Sequence, residues 1–172
     1  MKDPETDRIV SGNSEISGTV QVTEKQEGDT LMKDISLKEI MITHPVTANQ
    51  EDPLSKVEEK FRIRGIRHVP IVDHENRVVG MFTRNDLARC LAPRRTEDGF
   101  AYDKGAMDEF SLKYVMAADP TTLGPEDLLS RAVEIMARNK YGCLPIVKEG
   151  NVLAGIVTQV DIMKLLLREL RT

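Results

Sequence analysis

The sequence contains no tryptophan, four phenylalanines, three tyrosines and only two cysteines in 172 residues. Two cysteines are too few for a disulfide scaffold and fit a reducing cytoplasm. No apolar run approaches the roughly 18 residues that cross a bilayer. No charged start followed by an apolar stretch and a small-residue cleavage site indicates a secretory signal. We therefore expect a cytoplasmic protein that neither spans nor binds a membrane.

A surplus of positive charge is also missing. The net charge is -4, and residues 1–34 account for all of it with eight acids and four bases. Residues 35–172 hold 20 of each sign. A nucleic-acid surface requires an excess of lysine and arginine, and a base-stacking platform requires aromatic side chains. The composition therefore argues against a nucleic-acid-binding protein.

Two segments lack the periodicity of packed elements. Residues 1–34 are rich in Ser, Thr, Gly, Asp and Glu, and only residues 16–22 alternate like a strand. We predict a flexible acidic tail there. Residues 93–110 contain Pro93, Gly99 and Gly105 and show no steady period, which predicts a linker or surface loop.

An internal repeat organises the remainder of the chain. With an offset of 75 positions, residues 36–91 align without a gap on residues 111–166 and are identical at 19 of 56 positions. Chance would give about three or four identities at typical residue frequencies. The chain is therefore predicted to contain two repeats, residues 35–92 and 111–172.

Each repeat has the pattern β-α-β-β-α, an α+β fold. The second repeat shows a helical stripe at Leu129, Ala132, Val133 and Met136. Short β-branched runs indicate buried strands. Helices are predicted at 37–41 and 112–116, from the acids at 51–52 and 126–127, and after Thr83 and Thr158; strands are predicted at 69–72, 77–82, 144–147 and 152–157, with extended backbone at 46–48. Because neither repeat buries much surface alone, we expect the two to pack sheet to sheet about a pseudo-twofold axis, with two equivalent clefts between them.

The motif Gly-x-x-Thr-x-x-Asp occurs at residues 80–86 and again at residues 155–161. It places a strand end against a helix N-terminus, where free N–H groups favour an anion. The threonine could donate to a phosphate, and the aspartate could accept from ribose hydroxyls, as acids do in dinucleotide folds. The same spacing is also that of a capping box. Both interpretations stay open at this level.

The duplicated Pro-Ile-Val and Gly-x-x-Thr-x-x-Asp segments resemble a tandem pair of cystathionine-β-synthase (CBS) domains, called a Bateman module. The resemblance covers residues 35–170. It implies a non-enzymatic regulatory or sensor module that binds AMP, ADP or ATP, or S-adenosylmethionine, between the repeats. It also implies signalling to an effector protein and a homodimer formed through the repeat helices.

The resemblance further implies that each cleft combines residues of both repeats. The first cleft would use Thr43, Val46, Ile66, Arg67, His68, Ile156, Thr158 and Asp161. The second cleft would use Ala118, Thr121, Tyr141, Gly142, Cys143, Met81, Thr83 and Asp86. On this assignment only the first cleft has an arginine on its wall, and arginine suits phosphate. The first cleft is therefore predicted to bind the nucleotide more tightly, although Arg84 could supply charge to the second.

An interaction module and an enzyme are the two other classes of function for such a chain. A bare dimerisation or interaction module would use the threonine and aspartate only as caps. An enzyme would need a nucleophile–base pair, a metal-binding motif or a glycine-rich phosphate loop, and the sequence shows none of these. The spacing of His44, His68 and His74 fits no zinc pattern, so no metal or catalytic residue is predicted. Cys143 is predicted to pack as a small apolar residue.

Overall fold

The computed structural model describes residues 35–91, 93–97, 99–102, 107 and 111–171. The predicted tail, residues 1–34, lies outside this range. The elements of the first repeat are α1 (Leu37–Ile40), β1 (Ile42–Thr43), β2 (Ala48–Asn49), α2 (Leu54–Arg64), β3 (His68–Val72), β4 (Val78–Thr83) and α3 (Arg84–Cys90). They are followed by β5 (Pro93–Thr96) and β6 (Gly99–Tyr102). The second repeat has α4 (Leu112–Val115), β7 (Ala117–Ala118), α5 (Leu129–Asn139), β8 (Cys143–Lys148), a 3-10 turn (Glu149–Asn151), β9 (Val152–Thr158) and α6 (Gln159–Glu169).

The central hairpins, β3–β4 and β8–β9, are the most regular part of both repeats. Their strands are antiparallel, with the same bulge after the second apolar residue of each Pro-Ile-Val run. Asn76 and Asn151 lie in the left-handed region, with φ of 60° and 63°, which asparagine tolerates better than most residues. The Asn151 side chain donates to the Val78 carbonyl at 2.5 Å, so this identical pair both turns the hairpins and joins the repeats.

The first short strand of each repeat joins the sheet of the other repeat. Strand β1 pairs with β9, so Ile42 lies opposite Ile156. Strand β7 pairs with β4, so Ala118 lies opposite Gly80. The sheets accordingly have the orders β1-β9-β8 and β2-β3-β4-β7. The predicted α+β fold with two repeats is confirmed, but this exchange of strands was not predicted.

The hydrophobic cores are exchanged in the same way. Leu37 of α1 is fully buried in a cluster whose other buried members all come from the second repeat: Leu123, Ala132, Met136, Leu144, Ile146 and Val157. Leu112 of α4 is fully buried in the core of the first repeat, around Leu54, Phe61 and Phe82. Neither repeat therefore completes its core without the other.

The acids that were expected to begin the long helices lie just before them. Asp52 accepts from the backbone N–H of Asn49 at 3.0 Å and pairs with Lys56 at 2.7 Å. Asp127 repeats both contacts, with Gly124 and Arg131, at 2.7 Å each. Helices α2 and α5 then begin two residues later. The acids thus close the preceding turn rather than form the first helical turn.

The predicted linker, residues 93–110, contains regular structure. Strands β5 and β6 form an antiparallel ribbon in which Pro93 lies opposite Tyr102. Met107 is buried against the first core. The segment has neither a helical period nor a clear alternation, which is why it was expected to be a loop.

Candidate functional site

The first Gly-x-x-Thr-x-x-Asp motif forms a complete cap at the start of α3. The Thr83 hydroxyl accepts from the backbone N–H of Asp86 at 3.2 Å. The Asp86 carboxylate accepts from the Thr83 backbone N–H at 2.9 Å and from the Thr83 hydroxyl at 2.6 Å. Arg89 pairs with the other carboxylate oxygen. The capping interpretation is therefore confirmed at this position as local structure.

The second motif builds the same cap at the start of α6. Asp161 accepts from the backbone N–H and the hydroxyl of Thr158 at 3.0 and 2.6 Å. The counterpart of Arg89 in this repeat is Lys164, and no ion pair between it and Asp161 accompanies the cap in the part of the chain that the structure describes. The ligand-binding role of the two motifs stays a prediction, since a cap and a ligand contact are compatible uses of one carboxylate.

A cavity of about 640 Å³ lies between the repeats. This volume is in the range of about 300–1,000 Å³ that small-molecule pockets occupy. The cavity brings together every residue assigned to the second cleft: Met81, Thr83 and Asp86 from the first repeat and Ala118, Thr121, Tyr141, Gly142 and Cys143 from the second. The threonine and aspartate of the first repeat thus line the same cavity as the residues of the second repeat.

The register of β3 and β4 places Arg67 and His68 beside Thr83. His68 lies opposite Thr83 in this antiparallel pair, and the Arg84 N–H donates to the Arg67 carbonyl at 3.0 Å. Cys143 lies opposite Thr158 in the same way and also lines the cavity, so strand pairing alone does not assign these residues to one cleft. Arg67 and His68 line the cavity that holds the second-cleft residues, and their assignment to the first cleft stays a prediction.

Strand pairing brings several of the remaining first-cleft residues together. Thr43 lies opposite Gly155, beside Ile156, in the β1–β9 pair, and Thr158 ends the same strand. Ile66 instead packs against the core of the first repeat. The six first-cleft residues that do not line the cavity are Thr43, Val46, Ile66, Ile156, Thr158 and Asp161.

The cavity wall is positively charged, in contrast to the neutral body of the chain. Its basic residues are Arg67, Arg84, Arg89 and Lys140, and its acids are Asp86 and Asp119. Of these basic residues only Arg67 and Arg84 were considered from the sequence. Arg89 has a signal in its helical spacing from Asp86, whereas the only local signal of Lys140 is the end of a helix, and the contact of both residues with the cavity depends on long-range packing.

His68 of the first repeat lies against Gly142 of the second repeat at the cavity. A Cβ atom added to Gly142 would lie 2.7 Å from Nε2 of His68, so the glycine makes room for the imidazole. Burial, followed by the neighbouring Arg67 charge, lowers the pKa of His68. The ring is therefore neutral at pH 7 and adds no charge to the wall.

Cys143 contacts Met81 and Ile156 in a small buried cluster that joins the sheets. Burial, and to a smaller extent the Asp161 charge, raises the pKa of its thiol to about 12. The thiolate is the nucleophilic form of cysteine, so this geometry matches the predicted packing role.

The described residues hold neither a membrane-spanning helix nor a metal-binding cluster. No helix that the structure describes has both the length and the apolar character needed to cross a bilayer. Among residues 35–91 and 111–171, and the described parts of the connection between them, no three His, Cys, Asp or Glu side chains cluster as metal ligands.

Comparison with known proteins identifies the repeats. A family model described as the CBS domain matches residues 37–93 and again residues 112–168. The chain is 28% identical over 130 residues to the uncharacterized protein MJ1225 of Methanocaldococcus jannaschii. It is 33% identical over 127 residues to inosine-5′-monophosphate dehydrogenase of Bifidobacterium longum. These alignments cover 76% and 72% of the chain but only 42% and 21% of the two relatives.

Solved structures show the same fold. The CBS domain pair of protein MJ0100, in complex with 5′-methylthioadenosine and S-adenosyl-L-methionine, matches with a TM-score of 0.65, 21% identity and coverage of 78% of this chain and 98% of that one. CBSX2 in complex with AMP matches with a TM-score of 0.65, 16% identity and coverage of 78% and 97%. A CBS domain-containing protein of Bacillus anthracis matches with a TM-score of 0.68, 21% identity and coverage of 81% and 97%.

Proposed function

Because the chain belongs to the CBS-domain family and carries two CBS domains in tandem, we propose that it is a non-catalytic regulatory module for an adenosine-containing ligand. The observation that carries this proposal is the cavity lined by both repeats, with Thr83 and Asp86 at one end. Related structures that hold AMP, 5′-methylthioadenosine or S-adenosyl-L-methionine support the ligand class. The ligand class is therefore AMP, ADP, ATP or S-adenosylmethionine.

Regulation would follow from the position of the cavity at the seam between the repeats. A ligand that contacts Asp86 on one side and Tyr141 on the other favours the relative orientation of the repeats in which both contacts form. A ligand shifts such an equilibrium only through its different affinity for the two states. The resulting change in the exposed helices is what an effector protein would recognise.

The two aspartates provide a matched test of the binding site. Asp86→Ala and Asp161→Ala remove equivalent caps, so each variant is expected to lose about 1 kcal/mol of stability. Only Asp86 lines the cavity. In thermal melts with AMP, ADP, ATP and S-adenosylmethionine, we expect ligand stabilisation in the wild type and in Asp161→Ala, and its loss in Asp86→Ala. A ligand at 100 times its Kd should add about 2.7 kcal/mol.

Two outcomes of these melts would contradict the proposal. No stabilisation of the wild type by any of the four ligands would favour the bare interaction module. Loss of stabilisation in Asp161→Ala with retention in Asp86→Ala would move the ligand to the first cleft.

We also propose that the chain forms a homodimer through α6. None of the residues of this helix is buried, although its outer face carries several large apolar side chains. Met163 and Leu167 are 62% and 47% exposed, and Leu170, just beyond the helix, is 74% exposed. An amphipathic helix with an uncovered apolar face is better explained by association than by solvation.

The association is tested by charge insertion into this face. Met163→Glu with Leu167→Glu should convert a dimer to a monomer in sedimentation equilibrium, because each dimer would bury four carboxylates in an apolar interface. Tyr114→Glu is the control, since Tyr114 is 81% exposed on α4 and outside α6. A wild-type monomer, or a control variant that also dissociates, would contradict this interface.

A further inference from the structure

Three positions that line the cavity are basic in one repeat and uncharged in the other. Arg67 and Arg84 of the first repeat correspond to Gly142 and Gln159 of the second. Lys140 of the second repeat corresponds to Gly65 of the first. The cavity is lined by both members of the first two pairs and by Lys140, so three cations drawn from the two repeats, Arg67, Arg84 and Lys140, meet at one cavity.

These three cations are available to an anion. The remaining basic residue of the wall, Arg89, is already paired with Asp86. Arg84 uses one guanidinium donor on the Phe61 carbonyl at 3.4 Å, and a guanidinium has five donors. Neither Arg67 nor Lys140 forms an ion pair with any residue that the structure describes. The cations also come from both sides of the cavity, since Arg67 and Arg84 belong to one repeat and Lys140 to the other.

Lys140 has a backbone conformation that is unfavourable for a residue with a side chain. Lys140 follows α5 with φ of 57°, in the left-handed region. Glycine adopts this conformation without steric penalty, and Gly65 occupies the equivalent position with φ of 62°. The second repeat thus has a lysine where the first repeat has the residue that the backbone favours.

Resting on the proposed function, we infer that the cavity selects adenosine ligands by the charge of their 5′ tail. It takes nucleoside di- and triphosphates, with Arg67, Arg84 and Lys140 as the phosphate-binding residues, and disfavours S-adenosylmethionine. The latter carries a sulfonium and an ammonium group against one carboxylate, so its tail is repelled by the same three cations. A polyphosphate chain reaches cations of both repeats at once, which links this selectivity to the relative orientation of the repeats.

Calorimetric titration of the full chain with adenosine, AMP, ADP, ATP and S-adenosylmethionine tests the inference. Affinity should rise with each phosphate, and S-adenosylmethionine should bind at least tenfold more weakly than ATP. The preference for ATP over adenosine should fall as salt is raised, because ionic screening weakens contacts between exposed charges.

Lys140→Gly is the most informative variant, because glycine suits the backbone at this position and the fold should be retained. Loss of one hydrogen bond to a charged group should weaken ATP binding by about tenfold or more while leaving adenosine binding unchanged. Arg84→Gln, which introduces the residue of the second repeat, should act in the same direction. Arg64→Gln removes the same charge from an exposed position that does not line the cavity, and should leave the ATP-to-adenosine ratio as in the wild type.

The outcomes separate this inference from the proposed function. If adenosine or S-adenosylmethionine binds as tightly as ATP, or if Lys140→Gly and Arg64→Gln have equal effects, the charge selectivity is wrong and the nucleoside site remains. If none of the five ligands binds, the proposed function itself fails.

Discussion

Leu37→Ala is expected to destabilise the second repeat, although Leu37 belongs to the first repeat in sequence. Its side chain is fully buried among residues of the second core. Truncation of a buried leucine to alanine costs about 2–5 kcal/mol, because apolar contacts are lost and a cavity remains. Denaturant unfolding should show this loss, and native-state hydrogen exchange should show where it falls. Amides of α5, β8 and β9 should lose protection more than those of β3 and β4.

Leu112→Ala is the mirror-image variant. Leu112 is fully buried in the first core, so its truncation should cost a similar free energy but reduce protection in α2, β3 and β4. Both helices are held across the seam by backbone hydrogen bonds: Leu37 N–H donates to the Asp127 carbonyl at 2.9 Å, and Lys113 N–H donates to the Gln50 carbonyl at 3.1 Å. If each variant loosened its own repeat, the exchange of cores would be refuted.

This exchange is the part of the fold that the sequence did not predict. The apolar identity of Leu37 and Leu112 indicates burial, but a four-residue helix has too short a pattern to indicate which core receives it. The hairpins were predictable because a compact β-branched run, a turn and a second apolar run lie within about 15 residues of sequence. Strands β3 and β8 were placed within one residue at each end.

The site was predictable to the same extent. The Thr83 and Thr158 motifs have local caps, so their place at the start of α3 and α6 follows from spacing alone. The contact of Arg67 with the cavity depends on how the two repeats pack against each other, and no local pattern around Arg67 indicates that packing. Lys140 was missed for a related reason, since its only local signal is the end of a helix, where lysine is common.

Gly155→Ala is expected to separate strand β1 from the sheet of the second repeat. A Cβ atom at Gly155 would lie 2.7 Å from the Ile42 carbonyl oxygen and 3.0 Å from Sδ of Met41. A backbone carbonyl in a paired strand cannot move without loss of the pairing. Overpacking of this kind costs about 1–3 kcal/mol, and we expect a value near the upper limit in denaturant unfolding.

Gly80→Ala at the equivalent position provides the comparison. The added methyl group would meet the side chain of Met116, chiefly its sulfur, and methionine is flexible enough to adopt another rotamer. This variant should therefore lose less stability than Gly155→Ala. Gly124→Ala should be nearly neutral, because its nearest neighbour is a carboxylate oxygen of Asp127 at 3.6 Å. Equal losses of stability in Gly155→Ala and Gly80→Ala would contradict this expectation. They would mean that strand β1 moves as easily as the Met116 side chain and that the exchanged strand does not hold the two repeats in register.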